Sequence, residues 1–173
     1  MRQYLDEDTS KLLYNALVLP IADYCDTVYG TCGKTLLAKV ERLLCKGGKI
    51  ILNVPMDTPT RCVLNSLKWM TLTERISFHR NIMVFKSLNG LAPDYIGKNF
   101  QKITHSYNTR NSSNFVLPRC KTNMGQKTFR FLGAKHFNDL PSSVKNSASL
   151  NIFKCQLVKH ILSSKSSYYF ILA

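Results

Sequence analysis

The longest periodic pattern in the sequence lies between residues 34 and 52 and predicts a helix. Apolar residues recur there at helical spacing: Leu36, Val40, Leu43 and Ile50, shadowed by Leu37, Leu44 and Ile51. Four basic residues recur at the same spacing on what we expect to be the opposite face: Lys39, Arg42, Lys46 and Lys49. Gly47 and Gly48 weaken this helix by about 1 kcal/mol each, so a kink or a break is expected at that point.

Two further patterns predict helices later in the chain. Thr71 and Glu74 have the spacing of a capping box and predict a helix that runs to about Asn89, where Gly90 provides a C-cap. A last amphipathic helix is predicted from four apolar residues at helical spacing: Leu150, Phe153, Leu157 and Ile161.

Two short segments have the alternation and composition of strands. Residues 115–117 and 128–132 are rich in aromatic and β-branched side chains, and a turn signal at 123–125 separates them. They predict a small β-hairpin. The predicted fold class is therefore α+β, mainly α, with a helical region followed by the hairpin and terminal helices.

Charge divides the chain unevenly. The protein has 173 residues and a net charge of +14, yet residues 1–60 carry seven basic and seven acidic residues and are neutral. The whole surplus lies after residue 60, and a step of this kind indicates a polyanionic partner. Pro55 and Pro59 mark the best candidate boundary, between a helical region at 1–55 and a basic α+β region at 60–173.

The sequence has neither a recognisable targeting signal nor a metal-binding motif. No signal peptide is recognisable, and no apolar run is long enough for a membrane span, so an intracellular protein of the nucleus or cytoplasm is expected. The six cysteines and four histidines lack zinc-site spacing, and reduced, mostly buried thiols are expected.

A catalytic centre would need clustered acids, bases or nucleophiles, and the sequence offers few. Only three carboxylates follow residue 60. The segment Asp23-Tyr24-Cys25-Asp26 resembles part of a polymerase metal-binding turn, but Thr27 stands where a second adjacent carboxylate is needed, so a polar helix end is favoured. We predict no catalytic residue, no metal ligand and no cofactor in this chain.

Basic residues of the second region are the other candidate contacts with a polyanion. Lys127, Phe129 and Phe131 would share one face of the second predicted strand, where aromatic rings beside cations can stack unpaired bases. The alternative is that both phenylalanines are core and Arg130 faces solvent. Arg110 and Arg119 bracket a polar loop and could contact a phosphate backbone.

A series of short strings resembles the region that follows the reverse transcriptase domain in non-LTR (LINE-type, jockey-like) retrotransposons. In order along the chain, the strings are Tyr14-Asn-Ala-Leu-Val-Leu-Pro20, Asp23-Tyr-Cys25, Val28-Tyr-Gly30, Leu67-Lys-Trp69, Lys86-Ser-Leu-Asn-Gly-Leu-Ala-Pro-Asp-Tyr95, Tyr107-Asn-Thr-Arg-Asn111, Gly133-Ala-Lys-His-Phe-Asn-Asp-Leu-Pro141 and Ser149-Leu-Asn-Ile-Phe-Lys154. The resemblance covers roughly residues 10–162. Cys45, Gly47-Gly48, Tyr29 and Phe137 depart from the residues usual in the family.

The resemblance implies a piece of an RNA-directed DNA polymerase. The palm carboxylates of such polymerases, with their Mg²⁺ ions, lie upstream of everything resembled here, so this chain is expected to be inactive alone. Residues 1–55 would be thumb-like, and the basic helix would touch a template–primer of RNA and DNA without sequence preference. The rest of the polyprotein would be a second partner, and no membrane is expected.

Two functional hypotheses follow. In the first, the chain binds nucleic acid through Lys39, Arg42, Lys46, Lys49, Arg110, Arg119, Lys127 and Arg130. In the second, it is the product of a relic open reading frame that folds as a helical interaction module, with no catalytic or nucleic-acid role. An independent enzyme is the least favoured reading.

Overall fold

A computed structural model describes residues 5–103 and 114–169, with side chains as far as residue 163. The chain divides into two compact units, Met1–Ile76 and Ser77–Ala173. Helices make up most of the described residues, which confirms the mainly α class. None of the described helices combines the length and apolar character that crossing a bilayer demands.

The first unit packs short helices against one long one. Its helices are α1 (Glu7–Leu17), α2 (Leu19–Asp23), α3 (Asp26–Tyr29), α4 (Lys34–Ile51), α5 (Thr60–Ser66) and the first turn of α6 (Leu72–Leu88). The predicted boundary prolines, Pro55 and Pro59, lie between α4 and α5. Its buried apolar core is small: Tyr14, Cys45, Val63, Leu64, Leu67, Leu72 and Ile76.

The predicted capping box begins α6. The Thr71 hydroxyl accepts a hydrogen bond from the Glu74 N–H at 3.2 Å, and the Glu74 carboxylate accepts one from the Thr71 N–H at 2.8 Å. The helix ends at Leu88, and Gly90 follows with a φ of 68°, as its predicted role in the cap requires. This prediction is therefore confirmed at both ends of the helix.

The second unit is organised around phenylalanines. After α6 its helices are α7 (Asp94–Gly97), α8 (Asn123–Gln126), α9 (Phe129–Asn138), α10 (Ser142–Lys145) and α11 (Leu150–Tyr169). Phe85 and Phe153 stack with ring centroids 4.2 Å apart, and Phe137 lies 5.3 Å from Phe115. Phe153 and Leu157 are fully buried, so the terminal amphipathic helix is confirmed.

The predicted β-hairpin is wrong. Within the described residues the second unit has only an isolated bridge, between Lys102 and Phe115, and residues 129–132 form the start of α9 instead of a strand. Thr128 caps this helix, its hydroxyl accepting a hydrogen bond from the Phe131 N–H at 3.5 Å. In this helix Phe129 packs against the core cluster that contains Phe137, and this burial decides the outcome.

All six cysteines are free thiols. Only Cys45 is buried, so the expectation that most of them are buried is wrong. Burial raises the pKa of the Cys45 thiol, and the nearby Glu41 carboxylate adds to the shift.

Candidate nucleic-acid interface

The four basic residues of α4 form one exposed row, called here the basic stripe: Lys39, Arg42, Lys46 and Lys49. The first three are exposed and Lys49 is half-buried. At 100° per residue the four side chains fall within an arc of about 80°, and they extend for about 15 Å along the helix axis. The helix predicted between residues 34 and 52 thus exists, and it brings the four cations together.

Two members of the basic stripe contact the main chain. The Lys49 ammonium donates a hydrogen bond to the Met56 carbonyl oxygen at 2.7 Å, and the Arg42 Nε donates one to the Ala38 carbonyl at 3.3 Å. Lys39 and Lys46 make no ion pair within the described residues. Because a carbonyl does not neutralise a cation, the stripe keeps its full positive charge.

The single carboxylate of α4 is directed away from the basic stripe. Glu41 accepts a hydrogen bond from the backbone N–H of Leu72 at 3.1 Å, beside the capping box that begins α6. The N-terminus of a helix favours a negative charge, so this contact stabilises both the carboxylate and the helix end. It also leaves the outer face of α4 without an acid.

The inner face of α4 packs through glycine. A Cβ atom on Gly47 would lie 2.1 Å from Cε2 of Tyr14, and one on Gly48 would lie 2.7 Å from Cγ1 of Val63. Tyr14 cannot easily move aside, because its ring stacks on Trp69 with centroids 4.9 Å apart and its hydroxyl donates to the Leu44 carbonyl at 2.9 Å. Burial raises the pKa of Tyr14 to about 12. Instead of a kink, the glycine pair gives close packing in an unbroken helix.

The packing turns α4 only partly away from the expected orientation, because the basic residues lie outward while Leu37, Val40 and Leu44 are half-buried. Three leucine and isoleucine residues predicted to face the core are instead exposed: Leu36 at 53%, Leu43 at 64% and Ile50 at 46%. They form what is called here the apolar stripe, and it lies beside the basic stripe. The sequence prediction did not anticipate that these residues are exposed, because apolar periodicity gives no weight to glycine. A pair of glycines in a helix is nevertheless a sign of close packing against a neighbouring element.

The remaining predicted contacts lie in the second unit. Arg119, Lys127 and Arg130 are all exposed. Arg119 lies in an irregular segment before α8, while Lys127 and Arg130 lie on either side of the start of α9. Arg110 lies outside the described residues. The structure brings together the four residues of α4 but forms no comparable row from these others.

Phe129 and Phe131 do not form a stacking platform. Phe129 is partly buried against the core of the second unit, with its ring edge-to-face to Phe100 at a centroid distance of 5.7 Å. Phe131 lies two residues further along a helix, so it points away from Phe129. The alternative, in which these rings serve packing and Arg130 faces solvent, fits the structure.

The acidic segment at the end of α2 contains an ion pair. Asp23 accepts two hydrogen bonds from Arg75, from Nε to one oxygen and from Nη2 to the other, both at 2.5 Å. This bidentate contact with Asp23 raises the pKa of the Arg75 guanidinium. Asp23 therefore belongs to the packing of the first unit, in agreement with the polar helix end favoured from the sequence.

Comparisons with protein-family models, with curated proteins and with solved structures found no match to this chain. Family membership therefore stays a proposal.

Proposed function

We propose that this chain is the segment that follows the catalytic palm of a non-LTR retrotransposon reverse transcriptase, and that its basic stripe contacts the phosphate backbone of template RNA and primer DNA. The observation that carries the proposal is the row of four cations on α4, three of them exposed, with no carboxylate on the same face. The ordered series of family-like strings supports the choice of this polyanion over others.

A row of this kind suits backbone contact. Each phosphate neutralised by lysine or arginine releases condensed counterions, which makes binding favourable and dependent on salt. Neighbouring members of the stripe are separated by about 4.5–6 Å along the axis, so one helix can follow several successive phosphates. Contacts to phosphate carry no sequence information, so we expect binding to be largely independent of sequence.

Polymerisation itself would belong to the rest of the polyprotein. The palm carboxylates and their Mg²⁺ ions would supply the chemistry, while this chain would hold the template–primer. Arg119, Lys127 and Arg130, being exposed but not aligned, would add a weaker and more diffuse attraction.

A purified template–primer tests the proposal. Binding of the full chain to a fluorescein-labelled RNA–DNA hybrid would be followed by anisotropy, for the wild type and for a stripe variant with Lys39→Gln, Arg42→Gln, Lys46→Gln and Lys49→Gln. The matched control removes the same charge from four exposed lysines elsewhere: Lys98→Gln, Lys121→Gln, Lys135→Gln and Lys159→Gln.

The stripe variant should bind at least about tenfold more weakly, and the control should stay within about threefold of the wild type. Equal losses in the two variants would show that net charge, not the stripe, attracts the hybrid. The fluorescence of Trp69, the only tryptophan, monitors folding of the first unit. An unfolded stripe variant would show that these side chains are structural.

The second hypothesis, an interaction module without a nucleic-acid role, is favoured by a different observation. The first unit leaves many large apolar side chains exposed, among them Leu12 at 68% and Leu43 at 64%. If the stripe variant and the wild type bind the hybrid equally weakly, this second function stands alone.

A further inference from the structure

We infer that two copies of this chain associate, with α1 of each copy docking on the apolar stripe of α4 of the other. The inference is independent of nucleic-acid binding. It comes from two unpartnered helix faces in the first unit that are both apolar, carry opposite charges and repeat at the same spacing.

The outer face of α4 has the pattern of a helix-packing seam. Its exposed residues follow at alternating steps of three and four: Leu36, Lys39, Leu43, Lys46 and Ile50. Such spacing keeps a row of side chains on one side of a helix, where a second helix can pack along it. Leucine and isoleucine occupy every second position, and lysine occupies the positions between them.

The outer face of α1 has a matching pattern. Tyr14 points inward, and three exposed residues on the outer side of the helix follow at steps of four and three: Asp8, Leu12 and Asn15. An aspartate therefore stands where α4 has a lysine. The three residues span about two turns, which is enough to cover three positions of the seam on α4.

The charges of the two helices favour α1, instead of a second α4, as the helix that docks on the apolar stripe. The stretch from Asp6 to Leu17 contains three acids and one lysine, whereas α4 contains five cations and one acid. Two α4 helices packed on one another would bring Lys39 and Lys46 against their own copies, which repels. Docking of α1 on α4 instead places Asp8 near Lys39 or Lys46 while Leu12 is buried against the apolar stripe.

A two-fold axis would form the contact twice. If α1 of the first copy docks on α4 of the second, a two-fold axis requires the reverse contact as well, so the interface is formed twice. The arrangement closes after two copies. We therefore expect a dimer and no larger assembly.

Sedimentation of the full chain in the absence of nucleic acid tests the inference. The wild type should form a dimer in the micromolar range. Leu12→Gln and Leu43→Gln should each raise the dimer dissociation constant by about tenfold or more. Leu91→Gln removes a similarly exposed leucine in the second unit, at 59%, and should leave association unchanged. None of these changes alters charge, so a failure of the phosphate contacts would not affect the result.

A charge exchange gives the sharper readout. Asp8→Lys alone, and Lys39→Glu with Lys46→Glu, should each weaken the dimer, and the combination of all three should recover most of the lost association. Circular dichroism measures the helix content of each variant. Because Asp8 lies in the first turn of α1, Asp8→Lys alone weakens that helix, so the decisive result is the recovery of association in the triple variant. A monomer at all concentrations, a dimer that ignores Leu12 and Leu43, or no recovery on charge exchange would overturn the inference.

Discussion

The side-chain amide of Asn138 hydrogen-bonds to both backbone polar groups of Phe115. Its oxygen accepts from the Phe115 N–H at 2.8 Å, and its nitrogen donates to the Phe115 carbonyl at 2.9 Å. Phe115 is fully buried, so an amide at the end of α9 provides the pairing that a neighbouring strand would otherwise give. Asn138 thus holds in place the residue that lies between Phe100 and Phe137 in the core.

Asn138→Ala should therefore destabilise the second unit by about 1–3 kcal/mol, because two buried backbone groups lose their partners. Urea unfolding followed by circular dichroism measures the change. Asn151→Ala is the control, since Asn151 is exposed on α11. An equal effect of the two substitutions would show that the amide of Asn138 contributes nothing specific.

Gly48→Ala should destabilise the first unit in spite of the better helix propensity of alanine. The propensity gain is about 1 kcal/mol, but the added methyl would lie 2.7 Å from Val63 and 3.0 Å from Leu67. Overpacking of this kind costs about 1–3 kcal/mol, so we expect a net loss or at best no gain.

The unfolding midpoint of Trp69 fluorescence in urea measures this effect. Lys39→Ala is the control, because Lys39 is exposed on the same helix, and stability should stay within about 0.5 kcal/mol. A Gly48→Ala protein that is clearly more stable than the wild type would contradict the packing described for α4.

His136 should make the second unit less stable in mild acid. Burial lowers the pKa of His136 below its usual 6.5. The Arg80 guanidinium, whose Nη1 lies 3.4 Å from Nδ1 of His136, lowers this pKa further. Lys135 also lowers it, whereas Asp139 raises it. Ser77 also contacts Nδ1, at 3.0 Å. The unfolded chain therefore takes up a proton before the folded one does, so stability is complete above the unfolded pKa and falls as the pH drops through it.

The free energy of unfolding between pH 7.5 and 5.5 checks this prediction. The wild type should lose stability over this range, and His136→Gln should lose less. Parallel profiles for the two proteins would exclude His136 as the source of the acid sensitivity.

Local signals predicted much of the helical structure. The capping box at Thr71 and Glu74 and the heptad-like spacing of Phe153 and Leu157 each depend on neighbours within one or two turns, and both are confirmed. The basic stripe was recognisable for the same reason, since its four cations lie on one helix whatever that helix packs against.

Tertiary contacts decided what the sequence did not predict. The segment from Thr128 to Leu132 suits either a strand or a helix, and burial of Phe129 against the core cluster that contains Phe137 selects the helix. Similarly, the orientation of α4 depends on Tyr14 and Val63 approaching a glycine pair from distant parts of the chain. No apolar pattern within residues 34–52 contains that information.

The salt dependence of hybrid binding tests the central claim most directly. Binding of the RNA–DNA template–primer would be measured by anisotropy across a range of salt concentrations, for the wild type and for the stripe variant with all four residues changed to glutamine. Four phosphate contacts predict that log K falls with log salt more steeply in the wild type, by about 3 units of slope. Equal slopes in the two proteins, or a wild-type slope shallower than about −1, would contradict the assignment of phosphate contact to Lys39, Arg42, Lys46 and Lys49.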